Sequence, residues 1–381
     1  MWVEVELDAG RISQRAILQI QLPLDAKLNF FKLVVLQKSM IHRAKAPFRL
    51  GLAGGGTDVD PYCSQFGGAV VNATIDRYAH ASILPRNDGM VVFIQENTNN
   101  RLELPATEML EVHPDFALQI GVYNHVVAHY TGVPLSFEMV TSMDVPSGSG
   151  LGTSSTLVVA ILAAFAQWLQ LELERDALAQ QAYVIERKEL KMNGGRQDQY
   201  AAAFGGFNFI EFSKTGSVRV EPLALNANFV HDLSYYLVLF YMKSSRASSQ
   251  IIAKQQENVR KGKVSAIQAT HALKAFTQEV KDVLLRGDLN RFGILMHDSW
   301  ENKKKLTTHI SNQKIDSLYE AARSAGAVGG KISGAGGGGF MMFCCPAHTH
   351  SQVIQALQNI GGKVFPFSFV GQGVTQWSTS V

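Results

Sequence analysis

The chain of 381 residues carries 35 lysines and arginines against 32 acidic residues, a formal charge of +3, and 46% of it is hydrophobic. That length and apolar content allow a large buried core and suggest two domains, which excludes disorder for most of the chain. The near balance of charge gives no general electrostatic case for a nucleic-acid or membrane partner, so any bound anion must be held by a local site. Cys63, Cys344 and Cys345 form neither a disulfide framework nor a CxxC metal site. They read as small buried hydrophobes in a reducing cytoplasm.

In chain order, the opening "MWVEVELDAG" carries acids where a secretory signal needs bases, so export is not indicated. Residues 1–39 read as an extension ahead of a second start-like segment at Met40; an added strand pair and an upstream translation start both fit it. The first glycine island, "APFRLGLAGGGTD", follows. Strands are predicted over "GAVVNATIDRYAHASIL" from Gly68, then "MVVFIQ" and "RLEL", parted by the turn-forming "RNDG" and "NTNN". Helical spacing covers Leu118 to Tyr130, and "LSFEMV" reads as a strand.

The second island, "DVPSGSGLGTSS", opens an Ala/Leu/Val-rich helix over Ser154 to Gln170, and the longest uncharged apolar stretch, Leu157 to Leu171, is interrupted by Gln167 and Gln170 and too short to cross a bilayer comfortably. A helix over Arg175 to Leu190 and strands at "FNFIEF" and "SVRVEPL" complete a first domain, 40–228. In a second domain, 229–381, the order is a strand "YYLVLFYM", long helices to Ala325, strands "VGGKIS" and "FMMFCC", a helix through Ile354 and Leu357, and a last strand "KVFPFSFV". That is a βαββαβ order with extra helices after its first strand.

The central island has the makings of a phosphate cradle. Its glycines permit positive φ and close approach, and the helix starting near Ser154 turns its positive end toward an anion. The plain alternative is a Gly/Ser loop capped by a hydroxyl. No lysine follows as in a Walker A loop, and Thr153 stands where a dinucleotide fingerprint needs its third glycine. The third island, "GGKISGAGGGGF", holds a formal GxGxxG at Gly334, Gly336 and Gly339, but a strand follows it. Glu186 and Asp198 lie twelve residues apart around a "GG" break. With a phosphate cradle they suggest a metal-nucleotide site, one carboxylate for a hard cation and the other to accept a proton; a solvated helix face is the bland reading of Glu186.

Together the three islands resemble the motifs of the GHMP kinases, the galactokinase, homoserine, mevalonate and phosphomevalonate kinase superfamily, from about Ala46 to the C-terminal strands. The match of "PSGSGLGTSS" is specific. Within the superfamily, "FRLGLAGGGTD", "VVNATIDRY", "RQDQYAAAFGGFNF" and "KISGAGGGGF" look most like the heptose 7-phosphate kinases, with fucokinase domains next. The resemblance implies an α+β, two-domain fold: a ribosomal protein S5 domain 2-like N-terminal domain and a ferredoxin-like C-terminal domain, with the site between them. It implies transfer of phosphate from ATP, with Mg²⁺, to the anomeric hydroxyl of D-glycero-D-manno-heptose 7-phosphate, by a cytoplasmic monomer or homodimer whose partner is a small-molecule sugar phosphate. Another sugar 1-kinase, or a catalytically silent sugar and ATP sensor, are the alternatives.

Carried over residue by residue, the resemblance makes Asp198 the catalytic carboxylate and Arg49 its partner, offsetting charge on the transferred group. Pro146, Ser147, Gly148, Ser149, Gly150, Leu151, Gly152, Thr153 and Ser154 would hold the ATP phosphates, with Ser154 and Glu186 as metal ligands. Gly54, Gly55, Gly56, Thr57, Asp58, Gly334, Ala335, Gly336 and Gly337 would meet the sugar. Gly55 and Gly56 replace a glutamate and a histidine of galactokinases, which removes a negative charge from the path of a phosphorylated sugar. Cations for that phosphate are sought among Arg77, Lys243, Arg246 and Lys303 to Lys305, the lysine run reading more readily as a solvated helix face. His125 and His129, four apart on a helix, lack the glutamate of an HExxH site and any evident third ligand. His348 and His350 beside Cys344 and Cys345 lack metal-site spacing.

Overall fold

The computed structural model describes residues 40–243 and 248–381, with two short strands ahead of them, β1 (Trp2–Val5) and β2 (Ala16–Gln19), paired antiparallel with each other. The rest of the 1–39 extension, and Arg246, lie outside the described residues.

The first lobe is a large sheet covered by helices. Its backbone is two long strands, β3 (Met40–Ala53) and β4 (Gly68–Pro85), joined across the short helix α1 (Tyr62–Phe66). The first half of β4 is buried on both faces, while its second half alternates buried and half-buried residues in the two-residue period of a sheet with one covered face. Around this pair run β5 (Met90–Gln95), β6 (Asn100–Pro105), β7 (Phe137–Met143) and the final strand β14 (Thr375–Ser380), in the order β14-β3-β4-β7-β5-β6. β8 (Phe207–Phe212) and β9 (Val218–Pro222) extend from the other end of β4, and only β5 and β7 pair in parallel.

α3 (Thr153–Leu169) packs on β3 and β4, and nearly all of its 17 residues are buried. Its alanines explain the composition: a helix enclosed on all sides needs small side chains where its neighbours approach closely. α2 (Ala117–Val126) and α4 (Arg175–Tyr183) flank it, each running on into a single wide π turn, Val127–Thr131 and Val184–Glu189. α5 (Gln197–Phe204), not foreseen as a helix, completes the layer.

After α6 (Ala227–Tyr236) the chain enters the second lobe. β10 (Leu237–Tyr241), β11 (Gly329–Ile332), β12 (Phe340–Cys344) and β13 (Lys363–Val364) form an antiparallel sheet in the order β11-β12-β10-β13, which is the ferredoxin-like arrangement. Helices α7 (Ser248–Arg260), α8 (Val264–Arg286), α9 (Leu289–Lys304) and α10 (Gln313–Ser324) follow β10, and α11 (His350–Ile360) precedes β13. This lobe has a core of its own around Trp300, Tyr319 and Phe343.

One expectation needs correcting. The strand foreseen over "KVFPFSFV" is only two residues long, and the chain then returns to the first lobe. The Ser368 carbonyl and Val370 amide bond to Asp76 and Thr74, and β14 adds to the edge of β3. The second lobe therefore ends near residue 365, and the tail belongs to the first sheet. Its polar sequence "TQWSTS" hid an edge strand whose exposed face needs no apolar residue.

Candidate active site

A cleft of about 480 Å³ opens between the lobes and gathers residues from every glycine island. Arg49 reaches it from β3, whose pairing with β4 slips between Pro47 and Arg49 and again between Gly51 and Ala53. Such bulges re-aim side chains. The guanidinium, 4% exposed, donates from Nε to Asp198 Oδ1 at 2.7 Å, brings Nη2 within 2.6 Å of the same oxygen, and donates from Nη1 to the Gly150 carbonyl at 2.8 Å. Asp198 sits in the first turn of α5, where the helix dipole favours a carboxylate, and opens onto the cleft.

The loop before α3 alternates handedness. Gly148, Gly150 and Gly152 take φ of 71°, 85° and 79°, and between them Ser149 and Leu151 turn into the protein as buried anchors. Of the expected phosphate contacts, Ser147, Gly148, Gly150, Gly152, Thr153 and Ser154 line the cleft. Pro146 lines an adjoining hollow of about 790 Å³ that shares Ser147, Ser154 and Met192 with the cleft. The third island packs against this loop backbone to backbone: a Cβ on Gly150 would lie 2.4 Å from the Ser333 carbonyl oxygen, and one on Gly334 would lie 2.6 Å from that of Gly150.

These contacts revise the expected sugar contacts. Gly55, Gly56, Asp58, Gly334 and Ala335 line the cleft, but Gly54, Thr57, Gly336 and Gly337 do not. The Thr57 hydroxyl, wholly buried, donates to the Ala69 carbonyl at 2.7 Å and accepts from its amide at 3.0 Å, so it ties the motif to β4. Gly54 gives that same carbonyl room, since a Cβ there would lie 2.1 Å from it. The Gly337 amide donates to the Ile310 carbonyl at 2.8 Å, and Gly336 packs on the same residue. Asp58 accepts four hydrogen bonds, from the amides of Gly56, Arg196 and Gln197 and from Gln197 Nε2, all between 3.0 and 3.2 Å. Its carboxylate thus caps α5 and sets where Asp198 stands; a ring hydroxyl must displace one of these donors to be accepted there.

Glu186, on the π turn after α4, is fully buried and accepts from Ser154 Oγ (2.7 Å), Ser155 Oγ (2.6 Å) and Gln199 Nε2 (2.7 Å), with Arg187 Nη1 at 3.0 Å. Adjacent oxygens in an octahedral Mg²⁺ shell stand about 2.9 Å apart, so Ser154 Oγ and Glu186 Oε1 are spaced as two such ligands. As hard oxygens the two suit such a cation in donor type, and of the pair it is Ser154 that lines the cleft, with Glu186 buried behind it.

Two cations were undervalued in the sequence. Arg187 lines the cleft beside Glu186 and donates to Ser155 Oγ and the Gly195 carbonyl. Lys303 is 3% exposed, lines the opposite wall and donates to the Gly334 carbonyl. Burial, reinforced by Arg49 and opposed by Asp58, holds its ammonium down to about 8. Its placement was legible in the spacing of α9: Phe292, Met296 and Ser299 are buried, and Lys303 falls next on that face. Lys331, buried behind it, donates to the Gly51 and Leu52 carbonyls and is held well below its ordinary range by burial and by Lys303 and Arg49. The other described phosphate candidates stand away from the cleft. Arg77 is tied to Asp76 and the Pro366 carbonyl, and neither Lys243, Lys304 nor Lys305 lines the cleft.

Comparison with known proteins shows the family. Residues 117–206 match the GHMP kinases N terminal domain and residues 280–363 the GHMP kinases C terminal domain. Over 338 residues, 88% of this chain and 98% of the relative, the sequence is 41% identical to a D-glycero-alpha-D-manno-heptose 7-phosphate kinase of Campylobacter jejuni. The chain belongs to the GHMP kinases. This GHMP kinase is also similar to a solved D-glycero-D-manno-heptose 1-phosphate kinase from Bacteroides thetaiotaomicron (TM-score 0.75, 39% identity, 88% and 98% of the two chains). A Lactococcus lactis galactokinase complexed with galactose, 20% identical, shares the fold (TM-score 0.71, 92% and 99% covered). As a GHMP kinase the chain is an ATP-dependent phosphotransferase acting on a hydroxyl, and none of its described helices is long and apolar enough to cross a membrane.

Proposed function

We propose that the chain transfers the γ-phosphoryl group of ATP to the anomeric hydroxyl of D-glycero-D-manno-heptose 7-phosphate, giving the 1,7-bisphosphate. The observation carrying this reading is a buried lysine, Lys303, facing the Arg49–Asp198 pair across a cleft whose first motif bears glycine rather than an acid. The lysine's hydrogen bond goes to the neutral Gly334 carbonyl and, among the described residues, no carboxylate forms an ion pair with it, so a sugar phosphate would supply the charge it lacks where a neutral sugar would not. The names of the two heptose kinase relatives differ in the carbon said to bear phosphate and agree on a phosphorylated heptose.

In this reading the nucleotide lays its phosphates along Ser147 to Ser154 and its base in the adjoining hollow. Ser154 and Glu186 would hold magnesium, which would supply charge neutralisation of the triphosphate and a more electrophilic γ-phosphorus. Asp198 accepts the anomeric proton as the sugar oxygen attacks, and Arg49 keeps that carboxylate in place while offsetting charge on the moving group. Lys303 holds the sugar's phosphate. Turnover of the heptose 7-phosphate, compared with free heptose and fucose by ADP release and product analysis, tests the assignment. Preferred turnover of fucose or free heptose would overturn it.

Two predictions arise here. Lys303→Met should raise KM for the sugar phosphate roughly tenfold to a hundredfold, the worth of one charged hydrogen bond, with KM for ATP nearly unchanged. Because Lys303 carries its charge below about 8 and loses it above, the wild-type KM should climb as pH rises through that value, while the variant's stays flat. Gly55→Glu should also raise that KM. A Cβ at Gly55 lies 3.7 Å from Lys303 Nζ, so the new carboxylate would quench the lysine as well as repel the substrate. The two effects should therefore fail to add in the double variant, which a four-way kinetic cycle reads directly.

A further inference from the structure

Among the described residues, one cluster outside the cleft brings three metal-ligating side chains together: His125 from α2, His129 from the π turn that continues it, and Glu189 from the π turn after α4. One ligand atom from each lies within 4.8 Å of the others. His125 Nδ1 stands 2.8 Å and His129 Nε2 3.8 Å from the same oxygen, Glu189 Oε1, and the two rings are 4.4 Å apart. The sequence held the histidine pair and lacked the third ligand, which comes from 60 residues further on in the chain and is brought in by the packing of the second π turn against α2.

We propose that His125, His129 and Glu189 form a binding site for a divalent late first-row metal of the zinc class, with water completing its shell. Two imidazoles and one carboxylate are a donor set such ions favour over magnesium, so the Mg²⁺ used with ATP would not compete for it. An ion pair alone accounts poorly for the arrangement, because Glu189 is already satisfied by His125 while His129, 57% exposed, still leans toward the same oxygen. Leaning costs an exposed side chain rotamer freedom that a contact of 3.8 Å does not return.

The placement gives the site a mechanical meaning. Glu189 ends the turn that carries Glu186 and Arg187, and the segment after it, Met192 to Gly195, lines the cleft. A metal joining Glu189 to His125 on α2 and to His129 on the π turn that continues it would fasten that turn to the body of the first lobe. It would act at a distance from the reacting atoms, as a clamp on the residues around the phosphates.

The test uses the full chain, stripped by chelator and held in excess Mg²⁺. Zn²⁺ should then raise Tm by roughly 5 °C at a hundredfold excess over its dissociation constant. Titrated Co²⁺ should give one-to-one, saturable ligand-field bands of a low-coordinate complex. His129→Ala, at an exposed position that leaves the fold intact, should weaken both responses at least about tenfold, as should Glu189→Gln, whereas His348→Ala should leave them unchanged. Absence of saturable binding in the wild type overturns the proposal. So does binding that survives in His129→Ala, or a Tm that falls in that variant with no metal response in the parent, which would mean an ion pair only.

Discussion

Asp198→Asn is expected to lower kcat at least about a hundredfold, the lower range for removing a general base, with Tm and the KM for ATP little changed. The substitution is nearly isosteric and isolates proton acceptance from placement. Arg49 keeps its bonds to the Gly150 carbonyl (2.8 Å) and Ser333 Oγ (3.3 Å), so the inter-lobe contacts survive without the charge. An amide oxygen can still accept from Arg49, which leaves the guanidinium aimed. Single-turnover measurement of sugar phosphate formation separates this loss from product release. A variant retaining more than a tenth of wild-type turnover would show that the hydroxyl loses its proton elsewhere.

Gly152→Ala is expected to have the next largest effect, and for a reason confined to geometry. The residue takes φ of +79°, where a side chain costs about 1–2 kcal/mol, and its Cβ would lie 2.9 Å from Asp198 Cγ and 3.1 Å from Asp198 Cβ. The Asp198 carboxylate has to retreat, and for the proton acceptor proposed above a displacement near 1 Å costs about a hundredfold in rate. The outcome should be a kcat lowered tenfold to a hundredfold together with a Tm lowered by a few degrees, read by turnover and thermal unfolding on the same sample. Unchanged turnover would mean that Asp198 and the loop part in the working enzyme.

The sheet, the central helix and the ferredoxin-like order were legible because each is written in local pattern: β-branched runs between turns, and an uncharged helix behind a glycine loop. The strand β3 was not, since its "APFRLGLAGGG" is interrupted by proline and glycines that the structure spends on bulges around Arg49. Nor was α5 legible, because what starts it is the carboxylate of Asp58, more than a hundred residues earlier. The site divides the same way. Asp198, Arg49, Glu186 and the phosphate loop came from motif. The retreat of Thr57 into the wall, the commitment of Asp58 to a helix end and the approach of Glu189 to His125 and His129 depend on distant pairings that no local window contains. Lys303 lies between these cases: helical spacing placed it inward, but the charge run Lys303 to Lys305 argued outward, and the spacing prevailed.

The return of the tail to β3 changes what the two lobes can do relative to each other. The chain passes from the first lobe to the second ahead of β10 and passes back after β13, so the lobes are joined by two separate covalent bridges. A body fixed at one point can swivel in any direction; one fixed at two can only swing about the line between them. Two such tethers favour opening of the cleft by a door-like rotation about the line joining them, a motion that would part the closely packed Gly150 and Gly334 backbones together.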